Sequence, residues 1–131
     1  MDVENADRFN GKSEVYNRSR PGYPAELLEK LIAETALDRN GNIAEIGAGT
    51  GLFTECLVHA GFRHVSAVEP NAEFRSCLCG RFSGDSRVTV FDGSAEHTGL
   101  PDRRFDLITA AQAFHWFDKS AFRTECLRIA R

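Results

Sequence analysis

The chain has 131 residues, of which 42% are hydrophobic and 27% charged, and its formal net charge is −3. These values fit one globular domain and exclude a disordered or low-complexity chain, and the slight acidic excess argues against a nucleic-acid partner. Neither a long apolar run nor an N-terminal signal segment is present, which predicts a cytoplasmic protein with no membrane span.

Residues 1–41 are predicted to form a lead-in followed by one helix. Pro21, Gly22 and Pro24 interrupt the lead-in, and Pro24 suits the first position of a helix. The apolar residues that follow share one helical face, and residues 38–41 are predicted to end the helix in a turn.

From residue 42 onward, short β-like runs alternate with helical runs, which is the pattern of parallel βαβ units. Four strands are predicted, over residues 43–46, 65–68, 88–91 and 105–111. Helices are predicted over 52–60, after a cap at Asn71 and after a cap at Asp118, with one helical turn within 94–98. With right-handed crossovers, these elements predict a single α/β domain: three layers around a Rossmann-like parallel sheet of order 3-2-1-4.

A glycine-rich segment joins the first predicted strand to the next helix. It reads Glu45-Ile46-Gly47-Ala48-Gly49-Thr50-Gly51. Glycine lets the backbone turn sharply and lets a ligand approach the main chain closely. The start of the following helix adds free N–H groups and a partial positive charge, so this segment is a candidate binding loop.

Glu69 ends the second predicted strand. Ligands of parallel sheets lie beyond the carboxyl ends of the strands, and a carboxylate there can accept both hydroxyl protons of a ribose. The glycine loop and this acid together therefore predict a site for a cofactor that contains a nucleoside.

The detailed spacing favours one cofactor over another. The dinucleotide pattern is G-x-G-x-x-G, whereas here the third glycine, Gly51, comes one residue early. Glu45 stands two residues before Gly47, where it would repel phosphates and suit a cationic ligand. This combination favours S-adenosylmethionine, and a nicotinamide-dependent oxidoreductase domain remains the alternative.

Two further motifs resemble those of class I S-adenosylmethionine-dependent methyltransferases, in the branch that acts on small molecules. The lead-in Y-x-x-x-R-P-x-Y-P of that branch stands here at residues 16–24, and its A-Q-A-F-H-W-F segment stands at residues 111–117. The resemblance covers nearly the whole chain, and it implies a methyltransferase for a small-molecule acceptor with S-adenosyl-L-methionine as cofactor.

The resemblance also implies a role for each matching residue. The implied cofactor-binding residues are Tyr16, Glu45, Gly47, Ala48, Gly49, Gly51, Glu69, Pro70, Ser94, Ala95, Ala111 and Gln112. The acid and glycines of the loop would line the methionine part, and Glu69 would hold the ribose hydroxyls. Residues 70–71 and 93–96 would lie by the adenine ring, where many relatives have an acid in place of Ser94.

The same resemblance suggests groups near the reacting end. Tyr16 would lie by the sulfonium as a lid, Ala111 and Gln112 would close over the methionine end, and His115 is a candidate base or substrate contact. Trp116 is expected to pack in the core. The four cysteines and four histidines show no metal-binding spacing, so no metal is expected.

The family fold has seven strands, and only four are predicted here, so the chain is expected to be truncated after strand four. This leaves a catalytically impaired cofactor-binding unit or partner subunit as a second alternative. An apolar strand-four edge and the last helix would lack cover, which predicts a homodimer through one of them.

Overall fold

The computed structural model describes residues 25–110 and 117–131. The sheet contains four strands: β1 (Asn42–Ile46), β2 (His64–Val68), β3 (Val88–Phe91) and β4 (Leu107–Thr109). They lie in the order β3-β2-β1-β4, and every neighbouring pair is parallel. The predicted α/β class and strand order are therefore confirmed.

Within the described residues, four helices flank this sheet: α1 (Ala25–Thr35), α2 (Leu52–His59), α3 (Ala72–Arg81) and α4 (Lys119–Ile129). Asn71 caps α3 by accepting the Phe74 N–H, and Asp118 caps α4 by accepting the Ala121 N–H, so both predicted caps are confirmed. Across the described parts of the chain, no helix is long and apolar enough to cross a membrane.

The two faces of the sheet carry different helices because strand side chains alternate in direction. Ile43 and Val65 pack on one face with α1 and α2. On the opposite face, Ala44 and Ile46 belong to a cluster that includes Phe122 of α4. The result is three layers, and all four strands present their carboxyl ends at one edge of the sheet.

Strand β4 is shorter than the sequence predicted: 105–111 was expected, and within the described residues 105–110 only Leu107–Thr109 is strand, while Ala111 lies outside the described residues. Phe105 instead makes an isolated parallel bridge with Ala130, the residue that follows α4. The Phe105 N–H donates to the Ile129 carbonyl and the Phe105 carbonyl accepts from the Arg131 N–H. Contrary to the expectation of a free edge, the chain after α4 therefore covers Phe105, two residues before β4 on its outer side.

Self-association was expected through the outer edge of β4 or through the last helix, so it matters how much of that edge is free. Successive strand residues direct their N–H and C=O groups to alternate sides, so Leu107 and Thr109 face the same outer side as Phe105. Within residues 25–110 and 117–131, no further strand pairs with β4 there. The homodimer therefore stays a prediction, now restricted to a short stretch of edge or to α4, where Leu127 is 70% exposed.

We expect the 131-residue chain to form dimers at micromolar concentration, as measured by sedimentation velocity. Thr109→Pro removes an outward N–H and blocks strand pairing, so it should shift the equilibrium towards monomer if the β4 edge is the interface. Leu127→Lys should do so instead if α4 is the interface. A wild-type chain that is monomeric throughout the concentration range contradicts the prediction.

Candidate functional site

The glycine loop (residues 47–51) connects β1 to α2 at the carboxyl edge of the sheet. Gly47, Gly49 and Gly51 have φ angles of 71°, 62° and 99°, a left-handed conformation that residues with side chains rarely adopt. The three glycines are thus required by the turn itself, which reverses the chain within five residues.

The first half of this loop is hydrogen-bonded to the end of β2. The N–H groups of Gly47 and Ala48 both donate to the Val68 carbonyl, at 2.8 and 3.0 Å. The Gly49 N–H donates to Glu69 Oε1 at 2.8 Å. Three consecutive loop amides are therefore engaged within the protein.

Glu69 joins the glycine loop to the start of α3. Its second oxygen, Oε2, accepts the Asn71 N–H at 2.8 Å, and the side chain is buried, with 5% of the residue exposed. A carboxylate oxygen has two lone-pair sites, so each oxygen can accept one more hydrogen bond. Glu69 can therefore hold the loop and still receive two hydroxyl donors from a ligand.

Burial and hydrogen bonding act in opposite directions on the Glu69 carboxyl. Burial is the largest influence and raises the pKa of Glu69 above its ordinary value, while the Asn71 and Gly49 amides and the Arg75 charge lower it. Arg75 donates from Nη1 to the carbonyls of Glu69 and Pro70, and it pairs with Asp92 after β3 at 3.1 Å. Arg75 thereby connects the residues that follow β2 to the residue that follows β3.

Gly51 has a packing requirement in addition to its backbone conformation. A Cβ at this position would lie 2.8 Å from Leu78 Cδ1 and 2.9 Å from Phe82 Cε2, both on the α3 side. Glycine here lets α3 pack closely against the start of α2. Contact between Gly51 and a cofactor stays a prediction.

Glu45 lies beneath α2, with 2% of the residue exposed. Its Oε2 accepts a hydrogen bond from the Thr54 hydroxyl, and Thr54 is itself fully buried. This contact holds the first turn of α2 against β1. The influence of Glu45 on a ligand ammonium stays a prediction.

Residues 93–98 form a tight turn after β3, beside Glu69 (the 93–98 turn). The Ser94 N–H donates to the His97 carbonyl, and Ser94 Oγ accepts the His97 N–H, both at 3.0 Å. The predicted helical turn is wrong, because the Ser94 side chain closes this segment in place of helical backbone bonds. Ser94 is half-buried and Ala95 buried.

A buried network attaches this turn to α4. Glu125 Oε2 accepts both the N–H and the hydroxyl of Thr98, each at 2.7 Å, and Glu125 also pairs with Arg128. Arg128 in turn donates to Asp102. The hydrogen bond from Arg128 is the largest influence that lowers the pKa of Glu125 to about 2, with Thr98 contributing in the same direction.

The structure thus brings several predicted residues to one edge of the sheet, in the order of the strands that carry them. These are the loop residues Gly47, Ala48, Gly49 and Gly51, then Glu69 and Pro70, then Ser94 and Ala95. Tyr16, Ala111, Gln112, His115 and Trp116 lie outside the described residues, as does the lead-in motif, so the expected core packing of Trp116 stays a prediction. Within the described ranges, no group of three or more potential metal ligands occurs.

Two residues that organise this edge were missed by the sequence reasoning. Arg75 stands in the first turn of α3, where a positive charge is unfavourable unless it has another function, and that anomaly could have identified it. Glu125 shares a helical face with Phe122 and Ile129, and a charge on an apolar face is the signal for a buried partner. The partner, Thr98, could not be identified from spacing.

The fold and the site together define a class of protein: an α/β domain with a glycine-rich loop after β1 and a buried acid after β2. A family model described as a methyltransferase domain matches residues 44–131. An uncharacterized methyltransferase-like protein of Schizosaccharomyces pombe is 32% identical over 131 residues, covering 98% of this chain and 50% of its own length. The chain therefore belongs to the methyltransferase domain family.

Solved structures agree with this assignment. A proposed type II methyltransferase from Anaeromyxobacter dehalogenans superposes with a TM-score of 0.72 at 37% identity, over 86% of this chain and 45% of that one. Phosphoethanolamine N-methyltransferase 1 of Haemonchus contortus, solved with phosphoethanolamine and S-adenosylhomocysteine, has a TM-score of 0.66 at 20% identity, over 100% and 31%. The latter likeness concerns the fold alone. The chain spans about half the length of the curated relatives it matches.

The raised pKa of Glu69 predicts a specific pH dependence of stability. A folded-state pKa above the ordinary 4.5 means that folding favours the protonated form, so the stabilising contribution is complete below pH 4.5. It is lost as pH rises through the folded-state pKa. Urea unfolding of wild type and Glu69→Gln should show the difference in free energy of unfolding, wild type minus variant, falling as pH rises from 4.5. Glu34→Gln, on the exposed side of α1, is the control, and a difference that grows with pH contradicts the assignment.

Glu125 should show the opposite dependence. Its pKa of about 2 lies below the ordinary 4.5, so its stabilising contribution is present above pH 4.5 and is lost as pH falls towards 2. Glu125→Gln should lower the free energy of unfolding at pH 7 by about 1–2 kcal/mol, a range reduced for the partial exposure of Arg128. Urea unfolding between pH 7 and pH 2.5 should show the variant and wild type converging in acid. A constant difference would exclude the ionised pair as its cause.

Proposed function

We propose that this chain binds S-adenosyl-L-methionine and serves methyl transfer to a small-molecule acceptor. The observation that carries the proposal is the arrangement of Glu69. Its buried carboxylate faces the carboxyl edge of the sheet, and it can accept two more hydrogen bonds while holding Gly49 and Asn71. A ribose offers two adjacent hydroxyl donors for such an acceptor.

The residues present fit a nucleoside without phosphates better than a dinucleotide. A pyrophosphate needs free backbone N–H groups from the glycine loop. Here the amides of Gly47, Ala48 and Gly49 are engaged with Val68 and Glu69. The third glycine, Gly51, also comes one residue earlier than the dinucleotide pattern requires, which weighs against the nicotinamide alternative.

Bound S-adenosylmethionine supplies a methyl group on a sulfonium, which is reactive enough that the protein needs no nucleophile of its own. The protein has to orient the group, exclude water and place an acceptor in line. Glu69 would orient the ribose, the glycine loop would receive the amino-acid end, and Ser94 and Ala95 would border the base. Tyr16 and His115 stay candidates for the reacting end, and Ala111 and Gln112 for the methionine end, from the sequence resemblance alone.

The second alternative, a unit that binds the cofactor without turnover, is distinguished by assay. We would incubate the chain with labelled S-adenosylmethionine and mixtures of small amines, thiols, hydroxy compounds and carboxylic acids, and follow transfer of the label. Cofactor binding without any transfer favours the binding unit over the enzyme. Transfer to a protein or nucleic acid in place of these compounds contradicts the small-molecule part of the proposal.

Isothermal titration calorimetry tests the cofactor. S-Adenosylhomocysteine should bind the wild type, and Glu69→Ala should weaken binding by roughly 1–3 kcal/mol because a ribose acceptor and the loop contact are lost. Glu34→Ala should leave the affinity unchanged, since Glu34 is exposed on α1. NADH, titrated by fluorescence, should not bind.

Two outcomes contradict the proposal in different ways. A folded wild type that binds neither S-adenosylmethionine nor S-adenosylhomocysteine excludes this cofactor. Unchanged affinity in Glu69→Ala removes Glu69 from the site while leaving the cofactor in place.

A further inference from the structure

The 93–98 turn is tightly folded, and it would form one wall of the proposed nucleoside site without rearranging. A Cβ at Gly93 would lie 2.4 Å from the Thr98 carbonyl oxygen and 2.9 Å from its carbon, so the two ends of the turn are in direct contact. Between them, Ser94 and His97 exchange two hydrogen bonds. Only glycine permits this closure, because any side chain at 93 would force the backbone of Thr98 away.

This turn lies beside the carboxylate proposed to hold a ribose. The Glu69 N–H donates to the carbonyl of Phe91, the last residue of β3, and the turn begins two residues later. Arg75 further joins the Glu69 and Pro70 carbonyls to Asp92. A ligand seated on Glu69 beyond the strand ends therefore has the 93–98 turn as its neighbour.

The turn is held in place by α4, since Ala95 of the turn belongs to the same core cluster as Phe122 and Ile129 of that helix. Thr98 is fully buried, and both its N–H and its hydroxyl donate to one oxygen of Glu125 on α4. The Thr98 hydroxyl also accepts the Leu100 N–H, and Glu96 accepts the Asp118 N–H at the start of α4. Two points of the loop are thus bonded to the same helix.

Glu125 makes two directional hydrogen bonds to Thr98 that an apolar side chain of similar volume could not make. Packing with apolar residues of similar volume often stabilises a fold as well as a buried ion pair does, whereas hydrogen-bonded charges fix geometry. Directional hydrogen bonds fix the position of Thr98. Because Gly93 is in contact with Thr98, the positions of Gly93 and of the residues between them are fixed as well.

We propose that Glu125 is a positioning residue for nucleoside binding: by holding Thr98 it fixes the 93–98 turn against the ligand on Glu69. The inference rests on the proposed function, since it assigns a determinant of affinity for the nucleoside half of the cofactor. The methionine half should be indifferent to it, because the glycine loop is on the other side of Glu69.

The test compares Thr98→Val with two matched variants. Valine keeps the shape of threonine and removes the hydroxyl, Thr98→Ser keeps the hydroxyl, and Ile129→Val trims α4 without removing a bond of the network. Calorimetry would measure S-adenosylhomocysteine and 5′-methylthioadenosine, which lacks the amino-acid group. We expect Thr98→Val and Glu125→Gln to raise both dissociation constants by the same factor, about tenfold, with Thr98→Ser and Ile129→Val near wild type.

A second measurement separates positioning from loss of stability. Without ligand, amide hydrogen exchange at residues 94–98 should accelerate in Thr98→Val while exchange at Gly49 stays at the wild-type rate. The inference is overturned if wild type binds both ligands and Thr98→Val binds them equally well, or if Ile129→Val weakens binding as much at equal loss of melting temperature. The proposed function itself fails, and the positioning role with it, if folded wild type binds neither ligand.

Discussion

Glu69 holds together the chain segments at the carboxyl edge of the sheet. One oxygen accepts from the glycine loop after β1, the other from the first residue before α3, and the Glu69 backbone N–H reaches the end of β3. Three segments that are distant in sequence therefore converge on one residue. An acid is needed because only a carboxylate can accept from two amides and keep two lone-pair sites for a ligand.

That arrangement also limits what the site can bind. The amides of Gly47, Ala48 and Gly49 donate within the protein and are not available to a phosphate, which is why the proposed cofactor is one without phosphates. Glycines at such a turn are compatible with several cofactors. What favours one proposed cofactor over another is the direction of the Gly47, Ala48 and Gly49 amides. Their hydrogen bonds to the end of β2 set that direction.

Buried carboxylates recur in this fold, and each has a different partner. Glu45 holds Thr54 of α2, Glu69 holds the loop, and Glu125 holds Thr98 and Arg128. Each removes a charged group from water at a cost, which is offset by hydrogen bonds of defined direction. The three acids lie where a helix or loop must sit at a defined place on the sheet, and for that purpose direction matters more than net stabilisation.

From the sequence alone one can predict the class of fold, the caps at Asn71 and Asp118, and the glycine loop followed by Glu69; the strand order needs the handedness of the crossovers in addition. These features depend on neighbours along the chain: hydrophobic periodicity, capping residues and the turn between one strand and the next helix. It predicted a helical turn at 94–98 and a long β4, both wrong, because Ser94 closes on His97 and Phe105 pairs with Ala130. Only the tertiary structure decided that Glu125 meets Thr98 and that Arg75 joins β2 to β3. Those contacts link residues that are brought together by the packing of α4 and the order of the strands, and local pattern carries no information about such distances.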